Sequence, residues 1–394
     1  MNNAVLNIEN QAFINKNINT DLAVLLFKKH TKLQVDIKVL IEQIEAKKRC
    51  KKKLPTWFQT SNIYYPNKLN IEQTSSEITA KYKASLISGN SIIDITGGFG
   101  VDCFYFSKYF RTVIHCEIDK ELSKIVSHNF KQLESSNIQT ITKDGVLYLK
   151  DENSKFDWIY IDPSRRHDSK GKVFFLYDCL PNVPEHIDLL FNCSTNILIK
   201  TSPLLDLTIG ITELKHVKTI HIVAVNNEVK ELLWILEKNN IETDIQIRTV
   251  NISSKNEEHF SFNLINESTA ESKYSLPLTY LFEPNAAILK SGGFNSISIQ
   301  LQLKKLHQHS HLYTSNRLIE FPGRQFIIEQ IVPYNKKQFK KIGVDKANVT
   351  TRNFPESVET IRKKLGIKVG GNKYIFATTN LENQKILIIC IKAL

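Results

Sequence analysis

The chain has 394 residues, 42% of them hydrophobic, and a formal net charge of +12. That length favours two or three domains, and that apolar content excludes a disordered or fibrous chain. No apolar run approaches the ~18 residues that span a bilayer, and the Asn-rich start, Met1 to Asn19, lacks the charged beginning and apolar centre of a signal peptide, so a soluble cytoplasmic protein is expected.

Residues 1–53 read as helical, because Leu22, Leu25 and Leu26, then Val35, Val39, Ile41 and Ile44, recur at helix-like spacing. The helix around Ile37–Cys50 ends in the basic run Lys47-Lys48-Arg49-Cys50-Lys51-Lys52-Lys53, a solvated face that also suits phosphate. Pro55 and Pro66 bracket an irregular stretch containing Trp57, Tyr64 and Tyr65. Ser75 or Ser76 then caps a helical run from Ile78 to Ile87. From Ser91 the pattern changes. Strands are expected at Ser91–Ile95, Thr112–Glu117, Gln139–Thr142, Trp158–Ile161, Ile197–Lys200 and Ile220–Val225, with helices at Asp102–Tyr109, Lys120–Leu133, Pro184–Asn192 and Ile209–Leu214. This alternation predicts a parallel sheet with helices on both faces.

Glu228–Lys238 reads as another helix and Ile245–Val250 as another strand. Residues 251–275 are polar and read as a linker or long hairpin. Ile297–Leu303 and Phe326–Val332 then read as strands, Val358–Leu365 as a helix, and Tyr374–Thr378 with Ile386–Ile391 as a closing strand pair, which makes an α+β module. Cys50, Cys103, Cys116, Cys179, Cys193 and Cys390 form no C-x-x-C pair, so free buried thiols are expected rather than zinc or disulfides. His307, His309 and His311 alternate as on an exposed edge strand, and no metal site is expected.

Three of only 14 glycines fall in Asp94-Ile95-Thr96-Gly97-Gly98-Phe99-Gly100, directly after an apolar strand. Glycine lets the backbone turn sharply and approach a ligand, and the helix that follows offers free N–H groups. A dinucleotide fingerprint needs glycine where Cys103 stands, and a P-loop needs Lys and Ser/Thr where Val101-Asp102 stand. S-adenosylmethionine (SAM) needs only a glycine turn led by an acid, which Asp94 supplies, either ordering the loop or meeting the SAM amino group. Glu117 ends the next strand, 23 residues beyond Asp94, and can accept both ribose hydroxyls. Asp144-Gly145 follows the third strand, where a carboxylate can accept the adenine amino group.

These residues resemble the class I SAM-dependent methyltransferases. Glu72-Gln73-Thr74-Ser75-Ser76-Glu77, Ile161-Asp162-Pro163-Ser164-Arg165-Arg166, Leu281-Phe282-Glu283-Pro284-Asn285-Ala286-Ala287 and Arg352-Asn353-Phe354-Pro355 are similar to a bacterial branch with a C-terminal THUMP-like domain. The resemblance covers nearly the whole chain. It implies an N-terminal helical region (1–85), a Rossmann-like class I methyltransferase domain (86–250), a linker with a small ferredoxin-like segment (251–320) and a THUMP-like domain (321–394). The expected cofactor set is Ser75, Ser76, Asp94, Thr96, Gly97, Gly98, Gly100, Glu117, Ile118, Asp144, Gly145 and Asp162. THUMP domains bind RNA, so the resemblance implies an RNA partner.

Asp162, Pro163, Ser164 and Arg165 form the expected catalytic corner, at the carboxyl end of a parallel strand. Amino methyltransferases hold a base nitrogen with an Asp or Asn side chain and the following Pro carbonyl, orienting its lone pair. They usually continue with Pro and an aromatic; here Ser164 and Arg165 stand instead, and stacking could pass to Arg165, Phe174, Phe175 or Trp57. Lys200-Thr201-Ser202-Pro203 could line the same pocket.

Charge is uneven. Residues 1–85 carry 14 Lys and Arg against 7 Asp and Glu, residues 86–245 carry 17 against 22, and residues 246–394 carry 21 against 11. Basic flanks attract polyanions, and Arg317, Arg324, Arg352, Arg362, Lys363 and Lys364 are the expected RNA contacts. The expected activity is methylation of an RNA base nitrogen. The alternatives are a SAM- and RNA-binding protein without catalysis, or a methyltransferase acting on DNA or protein.

Overall fold

The structure, a computed structural model, describes residues 1–27, 35–165, 175–238, 240 and 244–393. Arg166 and Phe174, both named above, lie outside the described residues. The chain divides into two compact units, Met1–Lys218 with Leu232–Ile241, and Thr219–Glu231 with Glu242–Leu394.

The first unit opens with helices. In α1 (Ile8–Lys16) the Asn7 side chain accepts the Asn10 N–H. In α2 (Ile37–Lys53) Asp36 caps the start, Leu40, Ile44 and Cys50 are buried, and Lys51, Lys52 and Lys53 fill the last turn, where cations suit the helix dipole. The irregular stretch after α2 is buried, so its backbone needs partners. Two side-chain amides supply them. Gln43 bonds the Tyr65 carbonyl and N–H at 2.7 and 2.9 Å, and Asn129 bonds those of Tyr64, both at 2.9 Å. Helix α3 (Glu77–Ser85) starts at Ser76, whose hydroxyl accepts the Thr79 N–H.

The sheet then follows in sequence: β1 (Gly89–Asp94), α4 (Val101–Phe106), β2 (Phe110–Cys116), α5 (Lys120–Gln132), β3 (Ile138–Ile141), α6 (Gly145–Glu152), β4 (Phe156–Ile161), α7 (Val183–Cys193), β5 (Ser194–Thr201), α8 (Leu207–Glu213), β6 (Val217–Val225) and β7 (Glu228–Glu237). In this unit the strand order is β3-β2-β1-β4-β5-β7. The first five are parallel, and β7 runs antiparallel to β5. Ile92, Ile93, Ile159, Ile161, Ile197, Leu198 and Ile199 are fully buried, as expected of strands covered on both faces. Asp94 pairs with His115 on one side and Tyr160 on the other, so β1, β2 and β4 end level.

β7 corrects the helix expected over Glu228–Lys238. Asn226 and Asn227 both have positive φ, 51° and 63°, the backbone of a tight hairpin turn. Leu232, Leu233, Trp234 and Leu236 are buried with no alternation. A continuous apolar run lacks the period that separates strand from helix.

In the second unit β8 (Gln246–Ile252) lies parallel to β6 from Thr219 onward, and β9 (Glu257–Asn263) returns antiparallel to β8. The polar stretch is thus a hairpin, followed by α9 (Leu264–Thr269). Beyond it come β10 (Tyr280–Pro284), α10 (Phe294–Gln300), β11 (Tyr313–Ser315), β12 (Gly323–Pro333), β13 (Lys346–Arg352), α11 (Val358–Leu365), β14 (Lys368–Thr379) and β15 (Lys385–Lys392). They form a sheet in the order β11-β10-β12-β15-β14-β13. Here β13 and β14 are parallel across the α11 crossover, and β14 and β15 form the closing antiparallel pair.

Two expectations fail in this unit. Ile297–Leu303 alternates like a strand, yet Phe294–Gln300 is helical. Ser296 and Ser298 are buried while Ile299 is exposed, and the Ser298 hydroxyl bonds the Leu303 carbonyl, so tertiary contacts override the period. The three histidines are not on a strand. His307 bonds Asn353 and Asn383, and His311 stacks on Phe294. All six cysteines are buried thiols. No helix among the described residues is long and apolar enough to cross a membrane.

Candidate functional site

The carboxyl ends of β1, β2, β4 and β5 converge because those strands are parallel neighbours. Asp94, the last residue of β1, is 2% exposed. One of its oxygens accepts the Thr96 N–H at 2.9 Å and the Thr96 hydroxyl at 3.0 Å, and the other faces the Cys103 thiol at 3.4 Å. Burial pushes its carboxyl up to about 7, against the pull of those donors. Asp94 is therefore placed to order the loop from beneath rather than to project from it.

The loop lies flat on the end of β2. The Gly97 N–H bonds the Cys116 carbonyl at 2.8 Å, and a Cβ on Gly97 would stand 2.4 Å from the His115 ring and 2.6 Å from that carbonyl. His115 is fully buried, and burial pulls its imidazole down to about 4, so it is neutral. Its Nε2 lies 3.2 Å from the Gly98 carbonyl and carries the proton there. Gly100 is the N-cap of α4.

Glu117 follows β2. Its two oxygens accept the Gly98 and Asp119 N–H groups, each at 2.8 Å. Burial raises its carboxyl above the ordinary range, and the two N–H donors work against that. Next to it Ile118 is exposed. Asp144 caps α6 by accepting the Leu147 N–H at 2.9 Å, and the Leu147 side chain is exposed. Gly145 presses on the residue that follows β1, since an added Cβ would stand 2.3 Å from the Ile95 carbonyl oxygen. Ser76 is spent on capping α3.

Ser75 belongs to a buried knot that the sequence did not announce. Its hydroxyl donates to Asp102 at 2.8 Å, Tyr160 donates to the same oxygen at 2.9 Å, and Lys83 lies 3.3 Å from the other. Lys83 is fully buried. Burial alone would raise Asp102, but Lys83, Lys200, Ser75 and Tyr160 prevail and hold it below the ordinary carboxylate value. Asp102 entered the sequence reading as the start of an expected helix and as a mismatch to the P-loop, and no local pattern points to its partners.

The Asp162 corner joins the loop directly. The Asp162 N–H donates to the Thr96 hydroxyl at 2.8 Å. Its side chain is one-third exposed and ion-paired with Lys200, the penultimate residue of β5. Pro163 is buried and Ser164 exposed. Ser164 and Arg165 pair antiparallel with Leu180 and Cys179. The segments after β4 and β5 expose Phe175, Tyr177, Leu180 and Leu204. Trp57 does not contribute to it: it is fully buried, edge-on to Phe104 at 4.9 Å.

In the second unit Arg324 and Arg352 both pair with Glu283, and Lys364 pairs with Glu356. Lys363 is exposed. No group of metal-ligating side chains occurs among the described residues.

A family model for a ferredoxin-like domain matches residues 280–322, and one for a THUMP domain-like module matches residues 323–392. No curated protein matches the chain. Among solved structures, a proposed methyltransferase from Porphyromonas gingivalis W83 is 30% identical with a TM-score of 0.88, over 98% of this chain and 97% of that one. An rRNA methylase from Streptococcus thermophilus is 14% identical with a TM-score of 0.30, over 41% of this chain and 94% of that one. M. capricolum TrmK, solved with S-adenosyl-homocysteine, is 16% identical with a TM-score of 0.31, over 41% and 68%. At such scores neither of these two bears on site or substrate.

Proposed function

We propose that this chain, which belongs to the same family as the proposed methyltransferase from Porphyromonas gingivalis and carries ferredoxin-like and THUMP-like domains after its parallel sheet, transfers a methyl group from SAM to a base nitrogen of RNA. One observation carries the reading. The Asp162 N–H donates to Thr96, and Thr96 belongs to the glycine loop, so acceptor corner and cofactor loop are one hydrogen-bonded unit.

When bound, SAM supplies a methyl group activated by its sulfonium. The remaining work falls to the chain. Each Glu117 oxygen accepts one backbone N–H and keeps a lone pair, enough for two ribose hydroxyls. Exposed Ile118, next to Glu117, and exposed Leu147, in the first turn capped by Asp144, offer apolar surface that suits a flat ring. Lys200 holds one Asp162 oxygen and fixes the carboxylate's rotation, which leaves the other oxygen to accept an N–H from the target amine. That bond turns the nitrogen lone pair toward the methyl group and stabilises the positive charge that develops on nitrogen. The basic C-terminal segment and the THUMP-like domain support RNA as the acceptor.

Incubation with labelled SAM and total RNA from a strain lacking the protein tests this. Label is expected in an RNA fraction. Label only in DNA or protein overturns the acceptor. A second reading, a SAM- and RNA-binding protein without catalysis, draws on Lys200 occupying part of the Asp162 carboxylate and on Ser164-Arg165 standing where Pro and an aromatic are usual. Tight SAM binding with label in nothing favours that reading.

A further inference from the structure

We infer that the C-terminal unit carries a phosphate-binding clamp built from Arg324 and Lys392, set on the buried Glu283. The inference deepens the RNA reading by naming where a phosphate is held. Glu283 is 2% exposed and lies on β10 directly opposite Arg324 on β12. Arg324 Nε donates to Glu283 Oε2 at 2.6 Å, and Arg352 pairs with Oε1 at 2.7 Å. One carboxylate thus serves two guanidinium groups, and Lys392 adds a third cation, with no acid among the described residues that line the cleft. The guanidinium of Arg324 also rests over the rings of Phe326 and Phe376, 5.6 and 6.0 Å from their centroids. Arg324 is therefore fixed in place before any ligand arrives, with its side chain still 40% exposed.

Lys392 pairs across the sheet with Phe326, which puts it diagonal to Arg324, and its ammonium sits 5.9 Å over the Tyr374 ring. Gly323, Arg324, Gln325 and Lys392 line a cleft of about 170 Å³. Drug-sized ligands occupy roughly 300–1,000 Å³, so this cleft suits one phosphate group and not a whole nucleotide. The ligand is a phosphate, either a phosphodiester of an RNA strand or a free phosphate.

Lys392→Gln separates the two sources, because it leaves the Glu283 cluster intact. The full chain and the variant are titrated with a fluorescent single-stranded oligoribonucleotide over a range of salt. In parallel, each is melted with and without inorganic phosphate. Losing one phosphodiester contact should flatten the plot of log K against log salt by about 0.7. A flattened slope assigns the clamp to RNA. An unchanged slope with loss of the melting shift from inorganic phosphate assigns it to free phosphate. If neither quantity differs from the wild type, the clamp is refuted. If the wild type binds no oligoribonucleotide, the RNA reading falls, and the melting arm alone decides the clamp.

Discussion

Asp162 donates its backbone N–H to the Thr96 hydroxyl at 2.8 Å, and that hydroxyl in turn donates to the Asp94 carboxylate at 3.0 Å. The ends of β1 and β4 are therefore latched by one side chain. Thr96→Val keeps the shape and removes both bonds. A half-buried N–H left without a partner costs about 1–3 kcal/mol, so urea unfolding should show a loss of that order. Thr96→Ser should restore it. In the labelled-SAM assay Thr96→Val should lower kcat more than it weakens SAM binding, because Glu117 is untouched.

Glu117 anchors the loop through the Gly98 N–H and is the proposed acceptor for the SAM ribose. Hydrogen bonds to a charged group are worth about 1.5–3 kcal/mol, so Glu117→Ala should weaken SAM by at least about tenfold in calorimetry. Glu237→Ala is the control. Glu237 ion-pairs with Lys218 on exposed strand surface, and such pairs are worth about 0–1 kcal/mol. Equal losses in the two variants would remove Glu117 from the cofactor site.

Asp94 gives stability a defined pH dependence. Its carboxyl titrates near 3.8 in the unfolded chain and near 7 when folded, because burial disfavours the charge. Between those values the native state holds a proton that the unfolded state has released. This contribution is complete below about 4 and declines as pH rises to 7, by about 1.4 kcal/mol per pH unit. Asp94→Asn cannot ionise. The variant should lose less stability than the wild type between pH 4 and 7, measured by urea unfolding at each pH. Parallel curves would show that Asp94 is ionised throughout.

Gly97 and Gly343 test steric need against backbone need. A methyl group at Gly97 would meet the Cys116 carbonyl at 2.6 Å, and backbone cannot yield cheaply. Gly97→Ala should cost about 1–3 kcal/mol and loosen SAM binding together with stability. Gly343 has φ +72° and nothing within 4 Å of an added Cβ. Gly343→Ala should cost about 1–2 kcal/mol through the left-handed backbone alone and leave SAM binding unchanged.

Local chemistry explains which features could be read before folding. Asp94 to Gly100, Glu117 and Asp144 were visible because each sits just after a short β-branched run, and glycine sterics act within a few residues. The parallel sheet followed from strand–helix alternation. β7 was missed because Leu232 to Leu236 carries no period, although Asn226-Asn227 before it is a hairpin signal that composition could have supplied. Phe294–Gln300 was missed for the opposite reason: its alternation is real, and the buried Ser296 and Ser298 overrule it.

The sequence by itself determined the sheet, the glycine turn and the acids at successive strand ends, since these depend on neighbours along the chain. Tertiary structure decided what those groups touch. Thr96 meets Asp162 across 66 residues, Lys200 reaches Asp162 across 38, and Ser75 reaches Asp102 across 27. The pairing of Glu283 with Arg324 spans 41. Such partners are set by which strands lie side by side and by which polar groups must be satisfied once water is excluded, and no short-range pattern encodes either.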